Sequence, residues 1–179
     1  MNELTDAELL LLGLTAETPR HGYQIEQLIA ERGMREWTQI GFSSIYFVLA
    51  KLEKAGFVAS QKPRGAKARK RYAATEAGRA ALAARTLAAL AAPRPTHSPV
   101  LLGMAHWPVL DHDAALGALR ARGTALAAEI MRLEHKQATQ QPLPAFVDAM
   151  FDHTLGQLCA EAEWVERTLA VMQSATGLK

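Results

Sequence analysis

Three segments near the start of the chain have the apolar spacing of amphipathic helices. The first predicted helix covers residues 5–14, and Thr5 with Glu8 forms a capping-box signature at its start. The second covers residues 21–33 and ends at a glycine. The third covers residues 42–56, also ending at a glycine that is expected to form a left-handed cap. Its apolar positions share one helical face and are expected in the core: Ile45, Val48, Leu49 and Leu52.

After Gly56 the apolar period becomes shorter. Residues 57–61 and 69–73 are predicted to be two short strands, joined by a turn region that contains proline and glycine. Thr75 is a predicted N-cap for a helix that runs to about Ala92. The order of three helices, a hairpin and a fourth helix predicts a winged helix-turn-helix over residues 1–92.

Three prolines in residues 92–99 exclude a continuous helix and mark a domain boundary, with the second domain covering residues 93–179. Two long helices with heptad-like apolar seams are predicted there, and Pro142 and Pro144 break the chain between them. The simplest structure is an antiparallel helical hairpin. The predicted fold class is therefore mainly α, with an α+β winged helix before the hairpin.

A lone hairpin with two apolar seams has more hydrophobic surface than it can cover by itself. Pairing with a second copy would bury this surface. We therefore predict a homodimer formed by the following seam residues: Leu126, Ile130, Leu133, Phe151, Leu155, Leu158, Val165, Leu169 and Met172.

Composition excludes several other classes of protein. No apolar run approaches the ~20 residues of a membrane span, and the acidic start is unlike a secretory signal. Cys159 is the single cysteine, so no internal disulfide forms, and its place beside a seam residue predicts a buried, inert thiol. We expect a cytoplasmic protein without cofactors. Because no catalytic or phosphate-loop motif is present, we also expect that it is not an enzyme.

Charge divides unevenly along the chain. Residues 1–90 carry 13 Lys or Arg against 9 Asp or Glu, whereas residues 91–179 carry 7 against 9. A charge run by itself usually marks a solvated face. On a hairpin beside the third helix, it instead fits a wing that neutralises DNA phosphates. The basic cluster consists of Lys62, Arg64, Lys67, Arg69, Lys70 and Arg71.

The third helix is expected to present a second face to the DNA major groove. Its centre lacks the Arg, Asn and Gln side chains that usually make paired hydrogen bonds to bases, and Phe47 stands there instead. Phe47 either packs on a neighbouring helix or contacts thymine methyl groups. In the second case, DNA shape and phosphate contacts would do much of the positioning. The outward face comprises Ser43, Tyr46, Phe47, Ala50, Lys51 and Lys54.

The sequence also resembles the PadR family of transcriptional regulators. The matching stretches run in order through residues 9–80: Leu11-Leu12-Gly13-Leu14, His21-Gly22-Tyr23-Gln24-Ile25, Ser43-Ser44-Ile45-Tyr46, Leu49-Ala50-Lys51-Leu52-Glu53-Lys54-Ala55-Gly56, Tyr72 and Thr75-Glu76-Ala77-Gly78. Phe47 departs from the proline often found at this position in the family. The family's DNA-facing positions correspond to Tyr23, Ser43, Ser44, Tyr46 and Lys51.

The resemblance implies a homodimeric repressor that binds an inverted repeat in double-stranded DNA. The long helical second half looks like the larger subgroup of the family, whose members include regulators of phenolic acid detoxification. Release by a small aromatic or multidrug-type ligand follows from the same resemblance. With the basic cluster and Phe47, the predicted DNA-binding residues are Tyr23, Ser43, Ser44, Tyr46, Phe47, Lys51, Lys62, Arg64, Lys67, Arg69 and Lys70.

Two other interpretations involve the second half. A metal-responsive regulator would use the many nitrogen and oxygen donors of the second half: His97, His106, His112, His135, His153, Asp111, Asp113 and Asp152. No recognised ligand pattern is present among them, and Asp111 or Asp113 is more simply a helix N-cap. A module that binds only proteins would not need the basic wing.

Aromatic and Met residues in the second half are more often core than ligand lining, and no ligand residues are assigned. Trp37 is expected to be a packing residue. The residues that could line a ligand cavity are Met104, Trp107, Phe146, Met150, Phe151 and Trp164.

Overall fold

The computed structural model describes residues 4–36, 38, 40–61, 70–94 and 97–174, in two compact units. The N-terminal unit (Met1–Pro95) contains α1 (Asp6–Glu17), β1 (Arg20–His21), α2 (Gly22–Glu31), a 3₁₀ turn (Met34–Glu36), α3 (Phe42–Lys54), β2 (Val58–Gln61), β3 (Arg71–Ala74) and α4 (Glu76–Ala91). The C-terminal unit (Thr96–Lys179) contains α5 (Pro99–Ala105), a 3₁₀ turn (Trp107–Val109), α6 (His112–Thr139) and α7 (Ala145–Ser174). The predicted fold class, mainly helical with a small winged-helix sheet, is confirmed.

The helix starts follow from local side-chain chemistry. At α1, the Glu8 backbone N–H donates to Thr5 Oγ1 at 3.3 Å, and the Thr5 backbone N–H donates to Glu8 Oε2 at 2.7 Å. Thr75 accepts from the Gly78 N–H at the start of α4, and Asp111 accepts from the Ala114 N–H at the start of α6, both at 3.0 Å. These bonds satisfy backbone donors that have no partner within the helix. The predicted caps at Thr5 and Thr75 are confirmed, and of the two candidates Asp111 and Asp113 it is Asp111 that caps α6.

The sheet has three antiparallel strands in the order β1-β3-β2. Tyr72 in the central strand lies opposite Arg20 on one side and Ser60 on the other. The hairpin was predicted, although β3 begins two residues later than expected. The edge strand β1 was not predicted, because two residues between two helices carry no detectable period.

One apolar core holds the N-terminal unit together. The inward positions of α3 are buried as predicted, and Gly56 adopts the left-handed conformation (φ +77°) that ends this helical segment. Helix α3 packs against α1, α2 and β2, whereas α4 packs against α1 and β3. The centre of the core is formed by Leu11, Leu12, Leu14, Ile25, Ile29, Ile45, Leu49, Leu52 and Val58.

In the C-terminal unit, α6 and α7 form the predicted antiparallel hairpin. Gln137 donates to Asp148 Oδ1 at 2.7 Å near the turn, and Arg122 pairs with Glu161 farther along. Between the helices, Gly123 of α6 faces Val165 of α7, which is buried. Helix α5 is a short addition that the sequence did not predict. Within the described residues, none of the helices is both long and apolar enough to cross a membrane.

Candidate nucleic-acid interface

Helix α3 presents a solvent-exposed face of aromatic and basic side chains. Tyr46 is 47% exposed and Phe47 is 72% exposed, and Ala50, Lys51 and Lys54 lie exposed beside them. The predicted outward face is therefore confirmed for these five residues. The interpretation in which Phe47 packs on a neighbouring helix is wrong, because most of its ring remains in contact with solvent.

Lys51 combines exposure with a contact to the interior. Its Nζ lies 2.7 Å from an oxygen of the buried Glu8 carboxylate, which joins α3 to the first turn of α1. Burial alone would raise the pKa of Glu8, but the hydrogen bonds from Lys51 and Thr5 outweigh it and lower the pKa below its ordinary value. Lys54, one helical turn later, is exposed on the same face.

The pairing of β1 with β3 brings the start of α2 next to the hairpin. His21 Nδ1 lies 3.0 Å from the Lys70 carbonyl oxygen and donates to it, since a carbonyl only accepts. The His21 ring stacks on Tyr23, with ring centroids 5.7 Å apart and planes 11° from parallel. Arg71 donates to the Pro19 carbonyl oxygen at 3.1 Å. These contacts hold Tyr23 and the first residues of β3 in one region.

A cavity of about 320 Å³, partly open to solvent, lies where α2, α3 and β3 meet. Its lining contains three tyrosines, one histidine, one lysine and one glycine, and all six residues belong to the N-terminal unit: His21, Gly22, Tyr23, Tyr46, Lys70 and Tyr72. Gly22 is needed there, because a Cβ at this position would lie 2.5 Å from Cε1 of Tyr46. The Tyr46 ring therefore rests directly against the start of α2.

Lys70, the described residue just before β3, has an acidic neighbour. Lys70 Nζ lies 3.4 Å from Glu53 Oε2, and the Ser60 hydroxyl donates to the same carboxylate. Ser44 is half-buried near the start of α3. Five predicted DNA-binding positions lie outside the described part of the chain: Lys62, Arg64, Lys67, Arg69 and the side chain of Ser43. Trp37 lies outside it as well.

The nine predicted dimerisation residues differ in exposure within the single chain. Leu126, Leu133 and Val165 are already buried, so their surface is not available to a partner. The other six are half-buried: Ile130, Phe151, Leu155, Leu158, Leu169 and Met172. The expectation that Cys159 is buried is wrong, because its thiol is exposed. It follows a seam residue on α7 and therefore lies off the seam, one position around the helix.

Two further predictions concern the C-terminal unit. Asp111 is the N-cap of α6, as expected, and in the described part of the chain no three His, Cys, Asp or Glu side chains are grouped so that they could hold a metal ion. Trp107 makes an edge-on contact with His112, with ring centroids 6.0 Å apart. The other aromatic and Met candidates range from half-buried to exposed, with Phe146 among the exposed ones.

Sequence reasoning did not identify His21 and Tyr72 as parts of this site. Both lie in short strands whose pairing is non-local, and Tyr72 was noted only as part of a family motif. The sequence nevertheless contained a signal for this site: the stretches that resemble the family hold a histidine and three tyrosines close to glycine and basic residues.

Comparisons with known proteins agree with this architecture. The sequence model of the transcriptional regulator PadR-like family matches residues 11–84. No curated protein sequence matches the chain. Bacillus subtilis PadR in complex with operator DNA is 20% identical, with a TM-score of 0.73 over 92% of this chain and 98% of that one.

Two other solved structures give the same result. Bacillus subtilis PadR in complex with p-coumaric acid is 19% identical, with a TM-score of 0.74 over 93% of this chain and 98% of that one. The PadR-like regulator BC1756 from Bacillus cereus is 18% identical, with a TM-score of 0.68 over 95% and 99%. At these identities the likeness shows a shared fold. The family match lies within the winged-helix unit described above, so residues 11–84 of this chain are similar to the PadR-like family of transcriptional regulators.

Proposed function

We propose that this protein is a sequence-specific, double-stranded DNA-binding repressor that acts as a homodimer on an inverted repeat. The observation that carries the proposal is the exposed face of α3. Tyr46, Phe47 and Lys54 project from it, and among the described residues the exposed part of this face carries no acidic side chain. A helix with such a face fits the ~12 Å major groove. The family match of the same unit supports a role in transcription.

The surrounding residues would position the helix on the duplex. Tyr23, at the start of α2, and Lys70, at the base of the wing, lie beside α3 and can reach the phosphate backbone. The rest of the wing would add cations from Lys62 to Arg69. Lys51 would contribute less than Lys54, because its ammonium group is shared with Glu8. Phe47 would contact thymine methyl groups.

The homodimer is supported by apolar surface that the single chain leaves exposed in the C-terminal unit. Side chains of this size and number are unfavourable in water and are typical of an interface. The exposed set consists of Leu101, Leu102, Val109, Leu110, Met131, Phe146, Met150 and Val171.

A small aromatic effector would release the repressor from DNA. The complex of Bacillus subtilis PadR with p-coumaric acid, a protein of the same fold, supports this class of ligand. We assign no effector-binding residues in this chain. A regulator with this partner acts where the chromosome lies, and we therefore place it in the cytoplasm. Its function would be binding rather than catalysis.

The proposal can be tested by selecting sequences from a random duplex pool with the purified full chain and then measuring affinity by fluorescence anisotropy. We expect an inverted repeat to be selected. Replacing Tyr46 and Lys54 together, as Tyr46→Ala with Lys54→Gln, should weaken binding to it at least tenfold. Arg79→Gln is the matched charge control, because Arg79 is exposed on α4, which packs mainly on α1 and β3.

Two results would contradict the proposal. If no duplex sequence is enriched and no duplex is bound at low salt, the protein is not a DNA-binding regulator. If the enriched sequence has no twofold symmetry, the homodimer on an inverted repeat is wrong. A reporter gene placed behind the selected site would give the sign of regulation, with repression expected to be relieved by an aromatic acid such as p-coumaric acid.

A further inference from the structure

We propose that the cavity lined by His21, Gly22, Tyr23, Tyr46, Lys70 and Tyr72 seats one phosphate group of the DNA backbone in each half-site. The inference rests on the proposed function and deepens it. It assigns a defined phosphate contact to a preformed cavity and brings in a strand residue, Tyr72, that lies outside α3. This phosphate-binding site would fix the depth and register of α3 in the groove.

Tyr72 gives the first argument. It is only 8% exposed, and its hydroxyl makes no hydrogen bond with any residue that the structure describes. No fully buried side-chain oxygen or nitrogen in the described chain lacks a partner, so this hydroxyl must keep contact with solvent. Because Tyr72 lines the cavity, we place that contact there. A nearly buried phenol with a free O–H is a donor held ready for an external acceptor.

The charge and donors around Tyr72 favour an anion. Lys70 brings an ammonium group, Tyr23 and Tyr46 bring two more phenols, and none of the lining residues is acidic. The nearest carboxylate described beside Lys70 is that of Glu53, at 3.4 Å, a long ion pair that a phosphate could replace. The cavity also borders the first two residues of α2, where backbone N–H groups have no intrahelical acceptor.

The site is also held in shape before any ligand arrives. His21 acts as a positioning residue: its ring stacks on Tyr23, and its Nδ1 donates to the Lys70 carbonyl oxygen. Gly22 allows the Tyr46 ring to lie against α2. A binding site that is already organised loses little conformational freedom when its ligand binds.

The geometry favours a phosphate of DNA over a free phosphate ion. Tyr46 belongs both to the cavity and to the exposed face of α3, so a duplex that contacts this face must pass the cavity. Tyr23, at 37% exposure, forms another part of its rim. A cavity of about 320 Å³ also has room for the sugars on either side of a phosphodiester, whereas a lone ion would leave much of it filled with water.

The test combines protein variants with single neutral phosphates in the DNA. A duplex that carries the site selected by the wild-type chain would be made with one phosphate at a time replaced by a methylphosphonate. For the wild-type protein, one position in each half-site should lower the affinity about tenfold, as expected for hydrogen bonds to a charged group. For Tyr72→Phe and Lys70→Gln, the same replacement should have a clearly smaller effect, because the contact is already weakened.

Controls separate this contact from general losses. Arg79→Gln should show the wild-type pattern at every phosphate, and Tyr72→Phe should keep the wild-type melting temperature within about 2–3 °C. Lys70→Gln should also reduce the slope of log affinity against log salt by about 0.9, whereas Tyr72→Phe should leave this slope unchanged, because a hydroxyl displaces no counterion.

The outcomes distinguish this inference from the proposed function. If the protein binds the selected duplex but the effect of every methylphosphonate is unchanged by Tyr72→Phe and Lys70→Gln, the phosphate site is wrong and the DNA-binding function still holds. Saturable binding of inorganic phosphate at Tyr72, without such coupling, would assign the cavity to a free anion and also overturn it. Absence of binding to any duplex would overturn the proposed function itself.

Discussion

The ammonium group of Lys51 lies 2.7 Å from the carboxylate of Glu8, so the exposed helix α3 is tied to the first turn of α1 by an ion pair with one buried member. The same carboxylate accepts the Thr5 backbone N–H and completes the capping box. Glu8 therefore serves two elements at once. It stabilises the start of α1 and holds the last turn of α3, the helix proposed to enter DNA.

Glu8→Gln should destabilise the protein by about 1–3 kcal/mol, because a nearly buried charge-assisted acceptor is lost and Lys51 loses its partner. Urea unfolding followed by circular dichroism measures the change. Glu31→Gln, an exposed position on α2, is the matched control and should stay within about 0.5 kcal/mol of wild type. Equal effects of the two substitutions would show that the Glu8–Lys51 pair does not contribute to the stability of the fold.

Stability should also fall in acid, in part through Glu8. Its pKa is lower in the folded chain than in the unfolded one, so the ionised form favours folding and contributes fully above the unfolded pKa of about 4.3. This contribution is lost as the pH falls through the lower, folded value. The difference in unfolding free energy between wild type and Glu8→Gln should therefore shrink between pH 7 and pH 3. A difference that stays constant with pH would contradict the lowered pKa.

Glu17 should leave some acid sensitivity in the Glu8→Gln variant. Hydrogen bonds from Arg32 lower the pKa of Glu17 against the opposing effect of burial, and a hydrogen bond from Arg20 lowers it further. The same sign argument then applies to it. Unfolding of Glu8→Gln with Glu17→Gln should depend less on pH in this range than unfolding of Glu8→Gln alone.

Gly22→Ala should weaken DNA binding more than it weakens the fold. A Cβ would lie 2.5 Å from the Tyr46 ring, which is half-exposed and can swing away from α2, so the cavity and the α3 face would be disturbed. We expect at least a fivefold loss of affinity for the selected site. In Gly117→Ala on α6, an added Cβ meets nothing within 4 Å, so this control should keep full affinity and gain up to about 1 kcal/mol of stability.

Lys54 and Lys51 should differ in their salt dependence. Lys54→Gln should lower the slope of log affinity against log salt by about 0.9, as expected when one phosphate contact is lost. Lys51→Gln should change the slope less and lower stability more, because its ammonium group is paired with Glu8. The two slopes would be measured by fluorescence anisotropy titrations at salt concentrations between about 50 and 200 mM. The reverse order would place Lys51 on DNA and leave Glu8 without a lasting partner.

Phe47 offers a test of base recognition. Its side chain is mostly exposed, so Phe47→Ala should change stability by less than about 0.5 kcal/mol. If its ring contacts thymine methyl groups, the substitution should reduce the preference for the selected site over a scrambled one by about tenfold. Unchanged discrimination would refute the methyl contact.

Local signals in the sequence predicted the elements well. The caps at Thr5, Thr75 and Asp111 depend on side chains within three residues of the backbone groups that they satisfy, and the apolar face of α3 depends on spacing within one helix. Such interactions can be read from short stretches. The strand β1 could not be predicted from a short stretch, because only its pairing with β3 makes it a strand.

The amino-acid sequence by itself determined the order of the elements, the two faces of α3 and the concentration of cations near the hairpin. The tertiary structure decided which distant residues meet: Glu8 with Lys51, His21 with Lys70, and Tyr72 with Gly22 and Tyr46 around one cavity. It also decided that the Cys159 thiol is exposed and that Val165 is packed inside the hairpin. The physical reason is range, since helix periods and caps act over a few residues, whereas burial and charge pairing depend on segments brought together only when the chain folds.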